Sequence, residues 1–146
     1  GANMAYQLIM PSNNDIAVVN KQQNQAHHFI QISDLKELEN TVLAANKQGK
    51  TVMVDLYADW CIACKEFEKY TFPEKTVQDA LKNTVLVQID LTDGSATTTI
   101  EIMEHFNVFG LPSILFFDLK GKELSQQRVT GFMEAEKFSA HLMAIF

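Results

Sequence analysis

The two cysteines of this chain, Cys61 and Cys64, stand where a buried strand hands over to a helix, and that junction limits the folds open to it. Residues 51–58 (TVMVDLYA) are a short, apolar, β-branched run. That is the pattern of a strand covered on both faces, as in a parallel sheet. Asp59 and Trp60 close the run, and Cys61 opens a helical stretch that reaches to about residue 71. Pro73 stops it, because the residue before a proline avoids the α region.

The flanking sequence extends the alternation. Residues 29–32 (FIQI) predict a first strand, and Ser33 or Asp34 can cap the helix that follows. Leu35, Leu38, Val42 and Ala45 recur at helical spacing, up to a stop at Gly49. Residues 76–81 add a helical turn or two, 84–91 the next buried strand, 92–99 a polar loop, and 97–106 a helix. Residues 113–117, 118–121 and 123–130 read as strand, turn and partner strand. Residues 134–145 close the chain as a helix, with Phe138, Leu142 and Ile145 on one face. Glu134 and Glu136 suit its positive N-terminal end. The order β-α-β-α-β-α-β-β-α predicts an α/β fold: a central mixed sheet, mostly parallel, flanked by helices, with an antiparallel pair at its edge.

A length of 146 residues suits one domain. Residues 1–5, with Met4 internal, read as an expression scar. Residues 6–28, rich in Asn and Gln and without a sustained period, read as a linker or N-terminal arm with a short strand near 16–19. The folded domain is expected over 29–146. The first residues lack the charged and apolar regions of a secretory leader. No apolar run approaches the roughly 20 residues of a membrane span. Twelve basic against eighteen acidic side chains give a net charge of −6, which argues against nucleic acid as a partner.

Three chemistries suit Cys61-Ile62-Ala63-Cys64. A structural disulfide over so small a ring constrains the unfolded chain by only about 2 kcal/mol. A structural zinc site needs four ligands, and His27, His28, His105 and His141 lie at no spacing that completes the set. A redox dithiol needs the first cysteine at a helix N-terminus, where free N–H groups favour the thiolate, and the second one turn on, in reach of a mixed disulfide. A CxxC unit between strand and helix in a βαβ pattern meets that requirement.

The motifs also resemble a family. Residues 58–65 (ADWCIACK) resemble the thioredoxin active-site signature, with Trp60 just before the first cysteine. Gly110-Leu111-Pro112-Ser113 resembles that superfamily's cis-proline loop. The segments DLYADWCIACKEFEKYTF, VFGLPSILFFD and RVTGF are closely similar to the C-terminal periplasmic domain of the DsbD family, over about residues 50–142. The resemblance implies a thioredoxin-like fold with an N-terminal extension, and a protein-disulfide reductase whose redox-active disulfide is Cys61–Cys64. It implies no metal and no small-molecule cofactor. It implies a periplasmic domain of an inner-membrane protein, relaying electrons from a membrane-embedded domain to an N-terminal periplasmic domain of the same full-length protein. The isolated domain is expected to be monomeric. A freestanding thioredoxin-like reductase or oxidase, a metal-carrying module on the same cysteines, and a redox-inert binding domain stay open at this point.

Two carboxylates are singled out as tuners of the dithiol. Asp55 interrupts an apolar strand, and burying a carboxylate is costly unless it is bonded, paired or protonated. Its place six residues before Cys61 matches the thioredoxin family's buried aspartate, a proton acceptor beneath the dithiol. Glu68, four residues after Cys64, falls on the cysteine-bearing helix face, where the DsbD resemblance places an acid; a solvated residue paired with Lys65 or Lys69 is its plainer reading. Together they should raise the Cys61 pKa and make the free thiol sluggish outside a docked complex. For partner docking the expected residues are Trp60 at the rim, Ile62 and Ala63 within the motif, Leu111 and a cis Pro112 beside it, and Gly131, which would admit a partner backbone. Phe116, Phe117 and Met103 are assigned to the core.

Overall fold

A computed structural model describes residues 28–146. The expression-scar reading of 1–5, and the arm over 6–27 with its short strand, lie outside the described residues. The elements are β1 (Ile30–Ile32), α1 (Leu35–Lys47), β2 (Thr51–Tyr57), α2 (Ile62–Glu66), a π-helical turn (Phe67–Thr71), α3 (Lys75–Ala80), β3 (Thr84–Asp90), α4 (Thr97–Phe106), β4 (Ser113–Phe117), a 3₁₀ turn (Ser125–Gln127), β5 (Val129–Thr130) and α5 (Ala135–Ile145).

The five strands lie in the order β1-β3-β2-β4-β5. β3 runs parallel to both β1 and β2, whereas β4 is antiparallel to β2 and to β5. The sheet is therefore mixed, but the expected parallel majority is an even division of the four pairings. The reason is topological. β4 enters beside β2 from the proline loop, and the chain needs no crossover to bring it there antiparallel.

Local sequence sets the element ends. Asp34 is the N-cap of α1; its carboxylate accepts from Glu37 N–H at 2.8 Å, while Glu37 reaches back to Ser33 N–H at 2.7 Å. Gly49 follows α1 at φ +74, a conformation costly for residues with a Cβ. β2 sits between β3 and β4 and is buried over its first six residues, as its apolar run requires.

Each sheet face carries its own core. Leu38, Val42, Val54, Leu56, Ile89, Ile102 and Leu115 pack under α1 and α4. Met53, Phe67, Phe72, Ile114, Phe116, Phe138 and Leu142 pack on the other face, under the cysteine helix, α3 and α5. Phe116 and Phe117 are buried and Met103 packs against the first core, as expected.

Two expected elements are broken. The helix from Cys61 to about 71 is α-helical only to Glu66 and then widens, with Phe72 N–H reaching Phe67 C=O at 2.8 Å. The extra residue in that turn lets both Phe67 and Thr71 face inward, where Thr71 Oγ1 donates to Met133 C=O at 2.7 Å. The partner strand over 123–130 is reduced to a single bridge between Glu123 and Phe117 and to β5. Ser125–Gln127 turn away as a 3₁₀ segment, lacking the apolar alternation that would hold them on the sheet. Arg128 ties this connection down through Glu123, at 2.6 and 2.9 Å, and Phe106 C=O, at 2.8 Å.

Candidate active site

β2 ends at Tyr57, and the next four residues form the turn that leads into the site. Cys61 N–H donates back to Ala58 C=O at 3.1 Å, closing the turn that carries Asp59 and Trp60. The loop after β3 clamps this turn. Thr92 accepts from Asp59 N–H through Oγ1 at 2.8 Å, and from Trp60 Nε1 through its carbonyl at 3.1 Å. Thr92 Oγ1 in turn contacts Asp90 Oδ1.

Cys61 and Cys64 form a disulfide, with their Cα atoms 5.3 Å apart. Cys61 is the N-cap of α2, and its Sγ accepts from Cys64 N–H at 3.1 Å. An N–H donor aimed at that sulfur favours its anionic form once the disulfide is reduced. Both cysteines are buried and cluster with Ala58; Tyr57, Ala63 and Leu111 pack against them.

Leu111 belongs to the loop before β4, and the Leu111–Pro112 peptide bond is cis, as expected. Gly131, just after β5, donates its N–H to Pro112 C=O at 3.3 Å. Phe109, Leu111, Pro112, Thr130 and Gly131 line one open groove beside the dithiol cluster, and Phe109 is 88% exposed.

Behind the dithiol, Asp55 shares the face of β2 that carries Met53, the face covered by α2 and its π-helical continuation. It is buried, and its Oδ2 accepts from Gln88 Nε2 at 2.9 Å. The same nitrogen lies 3.4 Å from Glu68 Oε2, so one amide bridges the two carboxylates. Burial pushes the Asp55 carboxyl up to about 7; the Gln88 hydrogen bond opposes the rise, and the charge of Glu68 adds to it. Tyr57 is also raised, by burial and then by Asp90, Asp59, Glu68 and Asp55.

Known proteins are similar to this chain in sequence and in fold. A thioredoxin-like domain family model matches residues 38–146. The chain belongs to the thioredoxin-like domain family. Among curated relatives, it is 58% identical over 148 aligned positions to the thiol:disulfide interchange protein DsbD of Colwellia psychrerythraea, covering 100% of this chain and 23% of that protein. It is 55% identical over 121 positions to DsbD of Escherichia coli K12, covering 82% of this chain and 21% of that protein. The chain thus spans about a fifth of the length of the curated relatives it matches. Among solved structures, the oxidised DsbD C-terminal domain of Neisseria meningitidis superposes with a TM-score of 0.67 at 28% identity, over 79% of this chain and 98% of that one. The resemblance read from the motifs is therefore borne out.

In this thioredoxin-like domain the structure draws the sequence-selected residues into three groups. Cys61, Cys64, Ala63 and Leu111 pack together. Pro112 and Gly131 share the groove that Leu111 also lines. Asp55 and Glu68 meet through Gln88. Trp60 and Ile62 lie outside these groups, at 64% and 77% exposure, with Trp60 tethered to Thr92. Among the described residues, no group of three or more His, Cys, Asp or Glu side chains could hold a metal ion, and no helix is long and apolar enough to cross a membrane.

Sequence reasoning passed over Gln88, Gln31 and Thr92. Gln88 carried a signal, as an amide following the apolar run 85–87 of a strand (TVLVQID) that pairs with the strand holding Asp55. Thr92 and Gln31 carried none, because polar residues in a loop and on an exposed strand are ordinary.

Proposed function

We propose that this chain is a protein-disulfide reductase domain that relays electrons by dithiol–disulfide exchange. One observation carries the reading: the Cys61–Cys64 disulfide caps a helix beside an open groove that runs along Pro112 and Gly131. In the reduced domain, the Cys61 thiolate attacks a sulfur of the partner's disulfide, and the partner's other sulfur leaves as a thiolate. Cys64, as thiolate, then attacks Cys61 Sγ, restores the disulfide and expels the second partner sulfur. Two electrons pass to the partner, whose two sulfurs take up protons, and the domain is left oxidised. The reverse exchange with an electron donor recharges it.

The donor in this reading is a membrane-embedded domain, and the acceptor an N-terminal periplasmic domain, of one longer protein. The identity to DsbD proteins supports it, as does the fraction of their length that this chain spans. The periplasm is the corresponding location. Leu111, Pro112 and Gly131 flank the partner's extended segment, while Trp60, Ile62 and Ala63 form the rest of the contact face.

The test has two parts. Reduced Cys64→Ser should trap a mixed disulfide through Cys61 with an oxidised acceptor domain, and Cys61→Ser should trap none. The reduction potential, followed by Trp60 fluorescence in a dithiol–disulfide buffer, should fall near thioredoxin's, about −270 mV. A value near that of an oxidant such as DsbA, about −120 mV, overturns the direction of electron flow. If neither fluorescence nor thiol labelling shows a redox transition, the exchange reading falls and metal carriage takes its place.

A further inference from the structure

Gln88 is buried on β3, and its amide is used at both ends. Nε2 faces Asp55 Oδ2 and Glu68 Oε2, at 2.9 and 3.4 Å. Oε1 faces outward and accepts from Gln31 Nε2 at 2.7 Å. Gln31 is exposed on β1, in register with Gln88, which is in register with Asp55 on β2. Three neighbouring strands thus place amide, amide and carboxyl in one row across the sheet.

The two ends of a carboxamide are chemically opposite, and an ionised carboxylate accepts but never donates. The Gln88 amide can face an ionised Asp55 only with its NH2 group, so its oxygen must find a donor on the other side. Gln31 is that donor. We propose that Gln31 and Gln88 form a two-amide positioning chain, in which Gln31 holds the Gln88 amide with its NH2 group on Asp55 and so favours the ionised form of that acid. When Asp55 takes a proton the chain can reverse. The Asp55 hydroxyl then donates to Gln88 Oε1, and Gln88 Nε2 donates to Gln31 Oε1. Asp55 and both amides stay paired in either state, whereas Glu68 Oε2 gives up the 3.4 Å contact with Gln88 Nε2 on reversal. Turning Gln31 costs little, because water can serve its outer end. An opening lined by Phe29, Lys65, Glu68, Lys69 and Gln88 reaches the inner amide.

The other groups around Asp55 do not replace this chain. Glu68, from the π-helical turn, acts on it as a like charge. Its own strand supplies Tyr57, and the cysteine helix supplies Lys65 at the rim of the opening and a disulfide that does not titrate. Lys69 adds a second rim cation. Across from Asp55, β3 and β4 present Gln88 and Ile114, neither of them titratable.

The consequence for the dithiol rests on the function proposed above; the protonation of Asp55 does not. The experiment is therefore run on the oxidised domain, where no thiol titrates. The Asp55 carboxyl carbon and the Gln88 side-chain amide are followed by NMR across pH, in wild type, Gln31→Leu and Gln31→Lys, at high salt to screen the added charge. The substituted position is exposed, so both variants should fold. In wild type the Gln88 amide resonances should titrate with the midpoint of Asp55. In Gln31→Leu that midpoint should rise by about half a pH unit or more, the scale expected for weakening a hydrogen bond to a charged group. Gln31→Lys, a donor that cannot accept, should keep the midpoint at or below the wild-type value. An unmoved midpoint in Gln31→Leu overturns the proposal. So does a midpoint that rises in Gln31→Lys as in Gln31→Leu, or a Gln88 amide blind to the Asp55 titration.

Discussion

Gln88 Nε2 donates to Asp55 Oδ2 at 2.9 Å, across the parallel strand pair in which the two residues stand opposite each other. This bond is what an acid in the middle of a buried strand requires, and it compensates burial only in part. The carboxyl remains raised to about 7, so Asp55 changes charge within the range in which a dithiol works.

That raised pKa makes stability pH-dependent in a definite sense. The folded state binds the Asp55 proton more tightly than the unfolded chain, where the carboxyl has its ordinary value of 3.8. The contribution is fully present below the unfolded value, is lost as pH rises from there to about 7, and is level above. Each pH unit separating the folded and unfolded values is worth roughly 1.4 kcal/mol, so the loss is a few kcal/mol. Denaturant unfolding of the oxidised domain across this range should show the decline, and Asp55→Asn should flatten it. An equally steep decline in the variant would assign the effect to another group.

The same carboxylates should hold back the thiol. The reading of Asp55 and Glu68 as tuners sets their negative charges against the pull of the Cys64 N–H on a Cys61 thiolate. Asp55→Asn combined with Glu68→Gln should lower the Cys61 pKa by about one unit or more, read from thiolate ultraviolet absorbance. An unchanged titration in the double variant would sink the idea.

Gly131 sits at φ +83, and no atom beyond its two chain neighbours lies within 4 Å of where its Cβ would be, so the groove there is open. Gly131→Val would fill it with a side chain in a backbone conformation that costs roughly 1–2 kcal/mol. Exchange with a protein disulfide should slow about tenfold, the equivalent of 1.4 kcal/mol, while reduction of a small disulfide such as oxidised glutathione stays close to wild type. Equal rates on the protein substrate would remove Gly131 from the docking face.

Phe67 anchors the core under the cysteine helix, with its ring 5.2 Å from Phe72, 5.4 Å from Phe132 and 5.6 Å from Phe138. Phe67→Ala should cost about 3–5 kcal/mol in denaturant unfolding, whereas exposed Ile62→Ala should cost under about 0.5 kcal/mol. A loss at Ile62 comparable with that at Phe67 would show that Ile62 carries packing in the fold.

Elements whose patterns are local were legible in the residues alone. The buried run of β2, the cap at Asp34, the stop at Gly49 and the strand–CxxC–helix junction each follow from propensity, periodicity or a backbone requirement within a few residues. The cysteine pair and the Gly-Leu-Pro-Ser loop could be matched to a family because their spacing is specific. What remained hidden depends on neighbours far apart in the chain. Whether β4 runs parallel or antiparallel to β2 is decided by pairing across the sheet, and whether Ser125–Gln127 stay on its edge by packing there. The π-helical turn follows from how Phe67 and Thr71 are accommodated against the second core. Asp55 could be picked out as an unusual acid, but not its partners: Gln88 lies 33 positions after Asp55, and Gln31 lies 57 positions before Gln88. A hydrogen bond across strands is fixed by register, and register exists only once the sheet has formed.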